Sequence, residues 1–78
     1  MNLYGHTFYV QCPKNDDKVE YTLLLLADEM VLAESIIAAC DIRHKAYHEQ
    51  IADLLSERLP GKQTITASHS GVEILTVR

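Results

Sequence analysis

Apolar and polar residues alternate with a period of two in the first third of the chain, a pattern that predicts strands. From His6 to Cys12 every second residue is apolar, as in a strand with one buried face. Residues 13–17 supply turn chemistry, with a proline followed by asparagine and aspartate. The next run, 18–27, begins with the same alternation and becomes apolar on both faces at Leu23 to Leu26. It predicts a central strand, or a strand that is covered on both sides.

A helical pattern occupies the middle of the chain, from about Glu29 to Leu59. Asp28 is a candidate N-cap, and Glu29 places negative charge in the first turn. The helix is expected to end at Pro60-Gly61, which cannot continue it. It would contain 31 residues, which is long for a small domain. The alternative is a bend or break at residues 41–43 that divides it into two helices.

A second hairpin is predicted after the helix, from two short alternating runs at 63–67 and 72–77. The turn between them is at 68–71, where serine, histidine and glycine occur. The chain of 78 residues is expected to form one domain, residues 1–78. The predicted fold class is α+β with the order ββαββ. In it, a four-stranded antiparallel sheet carries one long helix, straight or bent near Asp41, on one face.

One face of the predicted helix would remain apolar without a strand beneath it. Plotted at 100° per residue, the first half of the helix is apolar on the core side and also on the opposite side. Since a sheet covers only one side, we expect this face to associate with a second copy or a partner helix. The alternative is that the chain termini or a bend at Asp41 cover it. The residues of this predicted association face are Val31, Ala38, Ala39, Ile42 and Ala46.

Composition and cysteine usage narrow the class of protein. Apolar residues make up 47% of the chain and charged residues 23%, which is typical of a folded globular domain. The two cysteines, Cys12 and Cys40, are too few for a disulfide framework and are expected to be reduced and buried. The N-terminal residues lack a signal-peptide pattern, and no apolar run is long enough to span a membrane. We therefore expect a cytoplasmic protein that does not contact membranes.

The charge is uneven along the chain, with a formal net value of −4. Residues 1–34 contain six acidic and two basic residues, whereas residues 35–78 contain five of each. A chain without a basic face or a stacking platform is not expected to bind nucleic acid directly. An acidic edge would instead suit a partner's basic surface; the alternative is that these acids only keep the domain soluble. The residues of the predicted edge are Asp16, Asp17, Glu20, Asp28, Glu29 and Glu34.

The sequence contains few candidate metal-binding or catalytic residues. His44 and His48 are four residues apart, with Cys40 one turn earlier, so three metal-ligating types follow one side of the predicted helix. Two or three such residues do not complete a tetrahedral site with its supporting hydrogen bonds, and we expect neither a metal nor another cofactor. No catalytic motif is present, and His44 is expected to be a histidine at the edge of the core.

These features favour a non-enzymatic, protein-binding module that occupies a surface of a larger partner. Small acidic proteins of this kind include inhibitors of host defence or nucleic-acid machinery from phages and mobile elements, such as anti-CRISPR proteins; the analogy is at the level of the class. One alternative is a structural or regulatory homodimer that associates through the helix face. Another is a small ligand-binding protein or enzyme with a site near His44, Tyr47 and Cys40.

Overall fold

Two β-hairpins frame two short helices in the computed structural model, which describes all of residues 1–78. The elements follow the order β-β-α-α-β-β. Their bounds are β1 (Asn2–Gln11), β2 (Lys18–Ala27), α1 (Ala33–Cys40), α2 (His48–Arg58), β3 (Lys62–His69) and β4 (Val72–Val77).

The four strands form one antiparallel sheet in the order β1-β2-β3-β4. This confirms the predicted α+β class and the four-stranded antiparallel sheet. β2 and β4 have the predicted bounds, whereas β1 begins earlier and β3 is longer than the sequence pattern indicated. The turn before β4 contains Ser70 and Gly71, both with positive φ, as a tight hairpin requires.

The prediction of one long helix, and with it the ββαββ order, is wrong. The helical region divides into α1 and α2, which are separated by residues 41–47. A single helix of 31 residues would extend about 46 Å, whereas a strand of ten residues spans about 33 Å. Part of its apolar surface would have had no sheet beneath it. The break near Asp41 lets both helices lie on the same sheet, and Ile42 and Ala46 of the connection are buried.

The helix start is also different from the predicted one. Asp28 and Glu29 lie in the loop before α1, so the expected N-cap at Asp28 is wrong; Leu32 occupies that position without a side-chain cap. The loop is held instead by Tyr4, whose hydroxyl accepts a 2.9 Å hydrogen bond from the Val31 backbone N–H. At α2, the backbone N–H of Tyr47 donates to the Gln50 side chain at 2.9 Å. The two helices therefore start on contacts that the sequence pattern did not indicate.

The core lies between the helices and one face of the sheet, here called the covered face. Its centre contains Leu25, Ile51, Leu55 and Ile65, all fully buried. One polar residue, Gln63, is buried with them, and its amide nitrogen donates to the carbonyls of Leu55 (3.1 Å) and Leu59 (3.0 Å). The Leu59 carbonyl has no partner within the helix, whereas the Leu55 carbonyl also accepts a 3.0 Å hydrogen bond from the Leu59 backbone N–H. Neither helix is long and apolar enough to cross a membrane.

Candidate functional site

The opposite face of the sheet, here called the open face, has no helix or loop packed on it. Side chains alternate between the two faces along each strand, so the positions between the core residues point away from the helices. An exposed face of an antiparallel sheet is usually polar. Here it includes five large apolar side chains that remain exposed: Leu3, Leu24, Leu26, Leu75 and Val77.

Strand register arranges these side chains in two groups on the open face. Leu3 of β1 lies directly opposite Leu26 of β2, with Leu24 two residues along the same strand. On β4, Leu75 and Val77 lie opposite Thr66 and Thr64 of β3, respectively. Two apolar groups therefore flank a strip of half-buried threonines. An exposed apolar patch of this kind is a feature of protein interaction sites.

The other end of the open face is acidic. Glu20 and Glu73, together with Ser68, line a shallow depression of about 500 Å³. The Tyr9 hydroxyl donates a 2.7 Å hydrogen bond to Glu20, and this bond and the negative charge of Glu20 raise the pKa of Tyr9. The open face thus combines an apolar half with a negatively charged end. Glu73 was not among the acidic residues that the sequence pattern singled out.

The residues of the predicted acidic edge do not form one surface. All six acids are exposed, but Asp16 and Asp17 lie in the turn before β2 whereas Asp28 and Glu29 follow its last residue. The length of β2 separates the two pairs by about 30 Å. Asp16 also contacts Lys45 as an ion pair. The structure therefore divides the acids between two ends of the molecule and leaves Glu34 on α1.

The predicted association face on the helix is not an exposed face. Val31, Ala39, Ile42 and Ala46 are buried within the single chain, and only Ala38 is exposed. The break near Asp41, which was the alternative interpretation, places Ile42 and Ala46 in a buried connection between the two helices. Arg58 fixes the arrangement, since its guanidinium donates a 2.8 Å hydrogen bond to the Ala39 carbonyl. Self-association itself remains a prediction, and it needs a different surface.

The row of metal-ligating residue types is also dispersed by the helix break. Cys40 ends α1, His44 lies exposed in the connection and His48 begins α2. No group of three or more His, Cys, Asp or Glu side chains is positioned to hold a metal ion. Both cysteines are free and buried, as predicted. Burial raises the pKa of the Cys40 thiol to about 11, although the charge of Arg58 opposes the shift.

A cleft of about 480 Å³ opens on the covered face, beside the first turn of α2. Its walls include Tyr21, Tyr47 and His48, with Ile74 of β4 on the far side. The His48 ring lies against Tyr21 with 5.5 Å between ring centroids. The cleft contains Tyr47 of the predicted ligand site, but His44 and Cys40 lie elsewhere. The structure therefore has a cleft between sheet and helix, but it lies beside His48 and not beside His44.

His48 is the one histidine in the chain with buried and unpartnered nitrogens. Neither ring nitrogen has a hydrogen-bond partner. Burial lowers the pKa of His48, and the charge of Glu49 opposes this only in part. Burial likewise raises the pKa of Tyr21. At neutral pH the cleft wall is therefore formed by an uncharged imidazole and an uncharged phenol.

The open face was missed by reasoning from the sequence, although one signal for it was present. The apolar run of β2 predicted a central strand, or a strand covered on both sides. β2 is central in the sheet, but the structure covers only the side of Leu23 and Leu25. The leucines at positions 24 and 26 were therefore a signal for an apolar face that no other part of the chain covers. Leu75 and Val77 gave the same sign in β4.

Comparison of the chain with protein-family models, with curated proteins and with solved structures finds no match in any of the three.

Proposed function

We propose that this protein is a non-enzymatic binding module that docks its open face onto a larger protein partner. The observation that supports this most is the set of five exposed apolar side chains on a sheet face that nothing in the chain covers. Folding does not require apolar residues at these positions, since threonine suits an exposed strand equally well. Association with a partner gives them a role.

The chemistry of the open face indicates the chemistry of the partner. Its apolar half fits an apolar patch, which typically forms the buried centre of an interface. Its acidic end, with Glu20 and Glu73, fits basic side chains at the rim of that patch. Inhibition by covering a basic, nucleic-acid-handling surface, as anti-CRISPR proteins and other phage or mobile-element inhibitors do, is the form of this function that we favour. This part rests on analogy with the class of small acidic inhibitors.

Site-specific photocrosslinking in the cells that produce the protein tests the proposal. A photoreactive residue replaces Leu75 on the open face or, as a matched control, Glu57 on the exposed side of α2. We expect one discrete crosslinked species from position 75 and none from position 57. The additional substitution Leu24→Thr should remove that species. The proposal is wrong if position 75 yields no partner, or if Leu24→Thr has no effect.

Charge-reversal variants of this chain, measured for binding to the captured partner, then distinguish the contributions of the two acidic ends. Glu20→Lys with Glu73→Lys should weaken binding about tenfold and remove most of its salt dependence, because both residues belong to the open face. The matched control is Asp28→Lys with Glu29→Lys at the far end of β2. It should leave affinity within about twofold. Equal effects of the two pairs would mean that overall charge, and not the open face, controls binding.

A second candidate function, ligand binding, is supported by the cleft beside His48. Its uncharged aromatic walls suit a small apolar or aromatic molecule. A thermal-shift screen with small aromatic compounds tests this, since a ligand that binds the folded state raises the melting temperature. The effect should disappear in Ile74→Trp, which fills the cleft, and persist in Leu75→Trp, its neighbour on the open face. A screen without stabilising compounds would exclude this candidate.

A further inference from the structure

The first strand, β1, is an edge strand without the features that usually protect an edge. It is ten residues long and contains no Asp, Glu, Lys, Arg or Pro, whereas β2, β3 and β4 each contain at least one charged residue. Edge strands commonly carry charges, prolines or bulges, because their free backbone groups otherwise pair with another strand. The opposite edge strand, β4, is only six residues long and carries Glu73. The two edges of the sheet therefore differ in their capacity to pair.

The backbone hydrogen bonds identify which groups of β1 are free. Cys12 donates to the carbonyl of Asp17 at 2.8 Å, directly across the hairpin. In an antiparallel pair, residues that exchange hydrogen bonds alternate with residues that do not. The even-numbered residues of β1 therefore bond to β2, and the odd-numbered residues direct their N–H and C=O groups to the edge.

One end of this edge is already occupied by the chain itself. The carbonyl of Gln11 accepts a 3.2 Å hydrogen bond from the backbone N–H of Ala46. No other part of the chain hydrogen-bonds the backbone of residues 3–9 at the edge. The free backbone groups thus belong to four residues, Leu3, Gly5, Thr7 and Tyr9. This run is centred on His6.

We infer that β1 pairs with β1 of a second copy of this chain, about a two-fold axis at His6, and joins two four-stranded sheets into one. A two-fold antiparallel pair centred on His6 uses the free groups of all four odd-numbered residues and avoids Gln11. On the covered face it places Tyr4 opposite Phe8 of the second copy. On the open face it places Leu3 opposite Tyr9. Pairs of aromatic and apolar residues in these positions stabilise a sheet.

A second copy suits this edge because the free run is uncharged and symmetric about its centre, although the two chains repel each other overall. Each copy has a formal net charge of −4, so two copies repel each other. Because β1 has no charged residue, the proposed contact brings no like charges face to face. The free run is also symmetric about its centre, as a two-fold contact requires.

The helix layer is compatible with the joined sheet. Strands lie about 4.8 Å apart and packed helices about 8–10 Å apart, so two helices cover about four strands, as they do in this chain. Continuing the sheet across β1 keeps this ratio and brings α1 beside α1 of the second copy. Ile37 and Ala38, which line an open groove beside β1, are exposed in the single chain. The pairing gives both residues a neighbour.

The first test measures oligomeric state by sedimentation equilibrium at micromolar to submillimolar concentrations. We expect a dimer for the wild-type chain. Thr7→Pro removes a free edge N–H without removing a bond to β2, and it should convert the dimer into a monomer. Glu73→Pro makes the same change at a free position of the β4 edge and should leave the dimer intact. Circular dichroism of each variant verifies that the fold is kept.

A second test reports on the register directly and needs no proline. In the proposed pairing, His6 faces His6 of the second copy as a pair without hydrogen bonds, with Cα atoms about 4.5 Å apart. That separation permits a disulfide. His6→Cys should therefore form a covalent dimer under mild oxidation, whereas Leu75→Cys, an exposed control, should not. The native cysteines are buried and do not compete.

Each outcome of these tests decides the inference. A wild-type chain that is monomeric at all concentrations overturns it, including the case of a monomer that binds an extended peptide of another protein along β1. A dimer that Thr7→Pro leaves intact and that does not crosslink through His6→Cys assigns association to another surface and also overturns it. A dimer that requires Thr7 and crosslinks at position 6 supports it. None of these results depends on whether the open face binds a partner.

Discussion

Within the leucine run of β2, the two faces of the sheet differ in what covers them and not in the kind of residue they carry. Leu23 and Leu25 of β2 point to the helices and are 1% and 0% exposed, whereas Leu24 and Leu26 point away and are 41% and 37% exposed. Whether each of these four consecutive leucines is buried or exposed therefore depends only on the direction of its side chain. The helix layer accounts for the first pair, because it removes their surface from water. Nothing within the chain accounts for the second pair, which is why the open face indicates a partner.

The largest effect should come from truncating neighbouring leucines on the two faces. Leu25→Ala leaves a cavity in the core and should lower the free energy of unfolding by about 3 kcal/mol. Leu24→Ala, on the open face of the same strand, should lower it by less than about 1 kcal/mol, because that side chain is already half exposed. Urea unfolding of both variants measures the difference. Equal losses would mean that the open face is covered in solution by the chain itself or by a second copy.

A smaller effect should come from the one polar residue of the covered face. Gln63→Leu keeps the approximate volume of the side chain but removes the donor to the carbonyls of Leu55 and Leu59, of which Leu55 keeps its bond from the Leu59 backbone N–H. The loss of stability should be about 1 kcal/mol, because one buried acceptor, the Leu59 carbonyl, is left without a partner, while the substitution also removes the unpartnered Oε1 of Gln63. Thr64→Val, the neighbouring control on the open face, should change stability by less than about 0.5 kcal/mol. An unchanged stability of Gln63→Leu in urea unfolding would show that these two bonds contribute nothing net.

The smallest effect should be a pH dependence that arises at the covered face. Because burial lowers the pKa of His48 in the folded state, the unfolded chain binds this proton more readily. Stability should therefore fall as the pH drops from 7 through the ordinary histidine range, and the fall should level off below the folded-state pKa. In His48→Phe, which keeps an aromatic ring beside Tyr21, this part of the pH dependence should be absent. Thermal unfolding from pH 7 to pH 5 measures both, and parallel curves for the two proteins would contradict the assignment to His48.

The strands could be predicted from the sequence because alternation is a local property. Side chains in a strand change face at every residue, so the pattern of burial can be found without knowing the partner strand. The bounds of β2 and β4 followed from this pattern. The hairpin turns followed from proline, asparagine, aspartate and glycine at the expected places.

The helices could not be predicted correctly, because the apolar residues from Val31 to Ile42 fit two structures equally well. A segment that is apolar on all sides suits a helix covered on two sides, and it also suits a short helix followed by a buried connection. Neither proline nor glycine occurs between Asp28 and Leu59 to mark a break. The length of the sheet favours two short helices over one long helix, since the helical residues have to fit on one face. The expected placement of the association face, and the alignment of Cys40, His44 and His48 along one side of a helix, both depended on the single helix.

The sequence by itself thus determined the four strands, the antiparallel hairpins and the α+β class, because these depend on periodicity and turn residues that lie close together in the chain. Only the tertiary structure decided which apolar residues are covered. It buried Val31, Ala39, Ile42 and Ala46 and left Leu24, Leu26, Leu75 and Val77 exposed. Burial depends on what packs against a face, and that is a property of distant segments. The candidate site of this protein lies where that packing is missing.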